Sequence, residues 1–348
     1  MNIKSHFKEK LEKMLFLNIE EKDIYMPVNS SQILEDLKAG GSMEKIPTSY
    51  FVYGMFFVLG ADDEFKYKER YIKFLKETEG STSYIKGRIA NEIKNENYED
   101  GYILLKGLSI VESSRDVFEK LFIVLEELRK KEPEYTLEEL KIIEKAKEIN
   151  GYFAPYYYEA QIKSEYKDYE GAILALDRFI ELSGNKDKEI IDFRAELITN
   201  SNYSKGKELI YEEPQKALSL LIPLLEKFPE DGALYYYIGV CYRVMQNYEK
   251  SIYYLNEALN IDSDLVQVVN ELGINYASLG DYDTAIGYLR KAFEATRSVE
   301  ICTNLVMCYL NAGRKEEAII HLELAEKLDP KDEVVLELRN FLKNENKS

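Results

Sequence analysis

The chain has 348 residues and carries 46 Lys and Arg against 63 Asp and Glu, a formal charge of −17. That balance excludes a phosphate-backbone binder, which needs a basic stripe to displace counterions. Two His, three Cys and no Trp thin the catalytic and metal-binding inventory; three Cys do not frame a disulfide scaffold in so long a chain, so a reducing, cytoplasmic compartment is expected.

In chain order, the N-terminal stretch 1–21 is charged throughout, and the apolar stretch 14–17 is too short for a signal peptide. The looser stretch 24–31 reads as extended, and Gly40–Gly41 as a break. Helical segments follow at about 48–60 and 64–78. The longest apolar run, 51–60 (FVYGMFFVLG), is half of the roughly 20 residues a bilayer-spanning helix needs, so no membrane insertion is expected. Residues 1–80 thus read as an N-terminal helical cap or small domain of unassigned role.

From residue 81 onward the chain reads as paired helices. The clearest copies are 232–265 and 266–298, in which Gly239 and Gly273, Tyr242 and Tyr276, Tyr248 and Tyr282, Leu255 and Leu289, and Ala258 and Ala292 all keep one common offset. A third copy, 299–332, supplies Leu305, Tyr309, Gly313, Ala318, Leu322, Ala325 and Pro330. Each copy predicts a helical hairpin. Tyr235, Ile238, Gly239 and Tyr242 share one face of a first helix, and Ser251, Leu255 and Ala258 one face of a second. Small residues at the Gly239, Ser251 and Ala258 positions let the two axes approach to about 8–10 Å. Gly280 and Asp281 mark the turn, as a left-handed exit and a helix cap. Weaker copies are expected at 153–186 (Tyr156, Ala160, Tyr169, Ala172, Leu176, Phe179) and 187–231 (Ala217, Leu221, Pro229), where Pro223 should kink the second helix. Residues 82–115 (Tyr98, Gly101, Leu105, Leu108) read as a degenerate copy and 116–152 as two helices broken at Pro133. Residues 333–343 (EVVLELRNFLK) read as a capping helix, which covers the stacking face of a last repeat.

The pattern large–x2–Leu–Gly–x2–Tyr, then Ala–x3–Leu/Phe–x2–Ala, then Pro resembles the tetratricopeptide repeat (TPR). The resemblance rests most firmly on Leu272, Gly273, Tyr276, Ala285, Leu289 and Ala292; Ser251, Ser263 and Val306 stand where Ala, Pro and Gly are usual. It implies an all-α fold, a right-handed superhelical solenoid of antiparallel helix pairs over 81–348 behind the N-terminal cap.

No catalytic motif is present: there is no GxGxxG, P-loop, HExxH or GxSxG. The S-x-x-K spacing of Ser5 and Lys8 lacks companion motifs, and His6 and His321 are solitary. Cys241 and Cys308 share a repeat position, which points to packing, and Cys302 lies off their face. Asp262 with Asp264, and Asp281 with Asp283, imitate the start of a calcium loop but lack its Gly and Glu, so capping accounts for them. Neither cofactor, metal nor enzymatic activity is expected.

In the resembled family, first helices line a concave surface, and repeat positions 2, 5, 9, 12 and 13 face a bound peptide. Carried over residue by residue, this implies a groove of Tyr157 and Gln161; Tyr236, Val240 and Arg243; Gln267, Asn270, Ile274 and Ser278; and Glu300, Thr303, Met307 and Asn311. The basic clamp that family members use for a chaperone C-terminus is missing, since Tyr236, Val240, Asn270, Glu271, Glu300 and Asn304 occupy its positions. The Tyr triplets 156–158 and 235–237 serve either the groove or helix packing. The resemblance implies a scaffold or adaptor that binds a protein or peptide. The alternative is a regulatory receptor for a signalling peptide with a protein-directed output. An enzymatic site within 1–80 has no residue pattern to motivate it.

Overall fold

A computed structural model describes residues 3–19, 24–38, 40 and 46–345. The chain divides into two compact units, Met1–Arg194 and Ala195–Ser348.

The first unit opens with α1 (Ile3–Lys10) and an antiparallel hairpin, β1 (Met14–Ile19) with β2 (Ile24–Asn29), in register from Met14–Asn29 to Ile19–Ile24. The extended reading of 24–31 is met by β2. Its partner β1 is an addition to the expected elements, so the N-terminal cap is helical with a hairpin set into it. Then come α2 (Ser30–Lys38), α3 (Thr48–Ala61), α4 (Lys68–Glu77), α5 (Ser81–Lys94), α6 (Tyr98–Val111), α7 (Arg115–Lys131), α8 (Thr136–Lys147), α9 (Ala154–Glu165) and α10 (Tyr169–Ser183). The division of the units falls within α11 (Lys188–Glu208). Of the expected Gly40–Gly41 break, Gly40 has φ +85° and Gly41 lies outside the described residues.

The long apolar run is the hub of this unit. Residues Val52 to Ala61 of α3 are all buried, which is why the run is apolar on every face. Glycines permit the close crossings: a β-carbon on Gly60 would sit 1.8 Å from the Ile103 carbonyl oxygen of α6, and one on Gly107 of α6 would sit 2.0 Å from that of Phe56. One apolar cluster runs without interruption from Ile3 and Phe7 through α3, α6 and α7 to Ile162. The N-terminal segment shares its core with the helices that follow, and the compact unit ends at Arg194. Among the described residues no helix is long and apolar enough to cross a membrane.

The second unit continues with α12 (Pro214–Leu221), α13 (Gly232–Val244), α14 (Tyr248–Ile261), α15 (Val266–Ser278), α16 (Tyr282–Thr296), α17 (Val299–Asn311), α18 (Lys315–Leu328) and α19 (Glu333–Glu345). From α13 to α18 these pair as helical hairpins, and α19 follows the last of them. Pro223 ends α12, and the chain proceeds as 3-10 helix over Ile222–Glu226.

One turn recurs between paired helices. Glu96, Lys167, Gln246, Gly280 and Gly313 are left-handed, with φ of 60, 62, 59, 83 and 73°. The amide of the residue after each reaches back toward the end of the first helix: Asn97 to the Glu92 carbonyl, Asp168 to Lys163, Asn247 to Tyr242, Asp281 to Tyr276 and Arg314 to Tyr309, at 2.8–3.0 Å. This bond satisfies an otherwise orphan carbonyl there. In three of the turns the next side chain caps the second helix: Asp168 Oδ1 accepts from Gly171 N at 3.0 Å, Asn247 Oδ1 from Lys250 N at 3.2 Å and Asp281 Oδ1 from Thr284 N at 3.2 Å.

In the copy read at 187–231 the first helix is α11. Gly239 on α13 abuts Leu255, and Gly273 on α15 abuts Leu289, with added β-carbons 2.8 and 2.5 Å from the leucine Cγ. Gly206 on α11 makes the same approach to Leu221, 2.5 Å from Cδ2. The hairpin of α11 and α12 is thus another member of the series, with Gly206 as its small residue.

Candidate functional site

In the second unit the first helices α13, α15 and α17 differ from their partners in charge. Each carries a single acidic or basic side chain: Arg243, Glu271 and Glu300 in turn. Their partners α14, α16 and α18, of similar length, carry three, four and six. Two of the three first-helix charges even cancel: Arg243 Nε donates to Glu271 Oε2 at 2.5 Å, linking α13 to α15. Glu271 is 7% exposed, and burial raises its carboxyl above the ordinary range although Arg243 opposes the shift. Beside this pair Tyr236 is half-buried, and burial followed by the field of Glu271 pushes its hydroxyl up to about 12.

A cleft of about 250 Å³ lies between α15 and α17, lined by Ile274, Ala277, Ser278, Asn304, Met307 and Asn311 among others. It brings together four of the residues expected to face a ligand: Ile274, Ser278, Met307 and Asn311. Met307 is 47% exposed, an apolar side chain with room to adapt. Asn304 joins them from one turn away. Its helical spacing from Met307 was the available signal. Gln267 and Glu300 are exposed; Asn270 is partly buried, and its Oδ1 has no hydrogen-bond partner in the structure.

Two expected groove residues are corrected. Val240 is 2% exposed and belongs to the apolar cluster of Leu234, Ile238 and Cys241. Thr303 is 4% exposed, and its hydroxyl donates to the Glu300 carbonyl of its own helix at 2.8 Å. Both side chains pack between helices and present nothing to a ligand.

The Tyr triplets largely serve packing. In the first unit Tyr157 lies 5.5 Å from Phe179 and 6.0 Å from Phe193, Tyr158 lies 4.7 Å from Phe122, and Lys147 stands over Tyr156. Tyr157 is partly buried in that cluster, and Gln161 follows it one turn on, also half-buried. In the second unit Tyr235 contacts Tyr254, and Tyr236 contacts Tyr237, which meets Tyr203 edge-on at 6.2 Å.

The remaining candidates have structural partners. Cys241, Cys302 and Cys308 are free and buried, each thiol pushed up to about 11 by burial. That is far from the low value a reactive thiolate requires. His321 Nδ1 bonds the Glu317 carbonyl at 2.9 Å and its ring lies 4.9 Å from Tyr309; His6 pairs with Glu99 at 3.1 Å. Lys8 pairs with Asp62 at 3.2 Å. Asp262 Oδ1 accepts from Asp264 N at 3.0 Å, a turn contact. No cluster of three or more His, Cys, Asp or Glu suited to a metal occurs among the described residues.

The family described as tetratricopeptide repeat matches residues 230–298, and a second form of it matches 276–340. Among curated proteins nothing matches. Solved structures similar to the chain include YrrB, described as a TPR protein with an unusual peptide-binding site, at 19% identity and TM-score 0.41, covering 56% of this chain and 95% of that one. The MamA protein is similar at 19% identity and TM-score 0.39, covering 51% and 92%. So is TTC0263, a thermophilic TPR protein of Thermus thermophilus, at 20% identity and TM-score 0.33, covering 56% and 98%.

Proposed function

We propose, from the match of residues 230–340 to the tetratricopeptide repeat family, a non-enzymatic adaptor whose second unit holds an extended stretch of a partner protein along α13, α15 and α17. The observation that carries this reading is the charge-poor wall. In a chain with 31% charged residues, each first helix keeps a single charge while its partner carries three or more. Burial accounts for part of the depletion, since α13 and α17 bury six and seven residues against three each in α14 and α18; at the positions left exposed, depletion is what a contact surface shows. The side chains offered are Tyr236, Asn270, Asn304 and Met307: aromatic area, amide hydrogen bonds and a deformable thioether. They suit a ligand segment with apolar and uncharged polar side chains, and none of the four is a cation that would hold a terminal carboxylate.

The test is a triple substitution, Tyr236→Ser, Asn270→Ser and Met307→Ser, in the full chain. Affinity capture with quantitative mass spectrometry compares it with the parent after circular dichroism has matched their helix content. Loss of a specific set of captured proteins is the expected result. An unchanged set would overturn the groove assignment.

A further inference from the structure

In the first unit, α5 and α7 stand on either side of α6 and enclose a cleft of about 400 Å³. Its floor is Ile89, Leu105, Leu108, Val117 and Val124, each no more than 3% exposed, and Ile123 on its margin is 61% exposed. Its mouth is charged. Lys86 and Lys94 come from α5, and Asp116 and Lys120 from α7. Lys120 Nζ donates to Asp116 Oδ2 at 2.8 Å, and Lys86 Nζ to Glu112 Oε1 at 2.8 Å. Lys94 has no ion-pair partner among the described residues. The hydrogen bond from Lys120 holds the Asp116 carboxyl below its usual range, and the field of Lys86 across the cleft adds to it. Ammonium groups from both walls therefore act on one exposed carboxylate at the mouth of an apolar trough. This is local positive charge on a chain whose net charge is −17.

We propose that this cleft binds a single-chain amphiphile with a carboxylate head, its hydrocarbon on the floor between α5 and α7 and its head between Lys86 and Lys120. The volume lies in the range of small-molecule sites, about 300–1,000 Å³. The apolar floor supplies the gain from burying methylene groups, and the lysines supply head-group selectivity. Asp116 competes with the ligand head for Lys120 and so tunes affinity downward. The proposal is independent of the groove in the second unit.

Titration calorimetry of the full chain with dodecanoate, below its micelle concentration, tests the assignment. Saturable binding of one dodecanoate per chain is expected, roughly tenfold or more tighter than dodecyltrimethylammonium, because the head-group charge is reversed. Octanoate should bind more than roughly tenfold more weakly than dodecanoate, since four methylenes fewer are buried. Asp116→Asn, an exposed change that threatens no core contact, should tighten dodecanoate binding several-fold. The pair Lys86→Gln with Lys120→Gln should weaken it by about tenfold or more. Equal affinity for the two head groups, an Asp116→Asn variant no tighter than the parent, or no saturable binding would each overturn it. So would binding of an acidic amphipathic peptide that dodecanoate fails to displace.

Discussion

Gly273 on α15 stands so close to Leu289 on α16 that a β-carbon added to the glycine would lie 2.5 Å from the leucine Cγ. Leu289 is fully buried, so it has no empty space to retreat into. Gly273→Ala should therefore cost about 1–3 kcal/mol, the usual penalty for overfilling a packed interface. Gly287, on the next helix, is the internal control: an added β-carbon there meets nothing within 4 Å. Gly287→Ala should stabilise by about 0.5–1 kcal/mol through helix propensity alone. Urea denaturation of the two variants should move the midpoint in opposite directions.

A second pair of substitutions concerns polar atoms that the repeat buries without partners. Ser251 is fully buried and its hydroxyl has no hydrogen bond; Ala285 and Ala318 hold the same place in the following hairpins. Asn275 is fully buried, donates from Nδ2 to the Glu271 carbonyl at 2.7 Å, and leaves Oδ1 unpaired. Its equivalents are Cys241 and Cys308, both buried. Ser251→Ala should stabilise by about 1 kcal/mol, since it removes a desolvated hydroxyl that makes no compensating bond; Asn275→Cys removes the unpaired Oδ1 but also the bond from Nδ2, so its gain should be smaller than that of Ser251→Ala. Thermal unfolding followed by circular dichroism checks both, and a fall in melting temperature for Ser251→Ala would show that the hydroxyl has a partner after all.

The left-handed turn gives a third test. Gln246 holds a position, φ +59°, that Gly280 and Gly313 occupy in the next two hairpins. A side chain in this region crowds the following carbonyl at a cost of about 1–2 kcal/mol. Gln246 is exposed, so Gln246→Gly removes that cost without a lost contact, offset in part by the freer unfolded chain. A net gain of about 0.5–1 kcal/mol is expected in equilibrium denaturation.

These three comparisons work because the repeat is written in steric terms that survive in the residues. Gly239 and Gly273 are demanded by Leu255 and Leu289, and the turn demands a left-handed residue followed by a cap; both constraints stand at a fixed interval and can be read without coordinates. Gly206 obeys the same constraint but does not stand out in the sequence. It is one position closer to Gly239 than Gly239 is to Gly273, and Pro223 changes the second helix of its hairpin into 3-10 geometry. The strand Met14–Ile19 was hidden for another reason. Its first four residues, MLFL, are all apolar and show no alternation, and its pairing with β2 is a tertiary fact. The site was less legible than the fold. Carrying ligand positions from one repeat to another assumes every first helix presents the same face, yet Val240 and Thr303 are turned into packing. The Tyr triplets look like surplus aromatic surface in sequence and are mostly spent on neighbouring rings.

The ion pair between Arg243 and Glu271 makes stability depend on pH in a direction that can be worked out. The folded-state pKa of Glu271 is raised, chiefly by burial, so the folded chain holds this proton more tightly than the unfolded chain. Below the unfolded value, about 4.5, both states are protonated and the group costs nothing. As pH rises from there through the folded value, the buried carboxylate becomes charged and stability is lost. Arg243 limits that loss from 2.5 Å away. Arg243→Gln removes the opposing charge, raises the folded value of Glu271 further and widens the window over which stability falls. The variant should be about 1–3 kcal/mol less stable than the parent at pH 7, below the cost of stripping a fully buried pair because Arg243 is 23% exposed. The deficit should shrink as pH is lowered toward 4.5, because a protonated Glu271 no longer needs its partner. Denaturation midpoints of parent and variant at pH 7 and pH 5 measure the difference, and background titrations common to both cancel. A deficit of the same size at both pH values would mean that Arg243 contributes through its packed hydrocarbon stem and not through its charge.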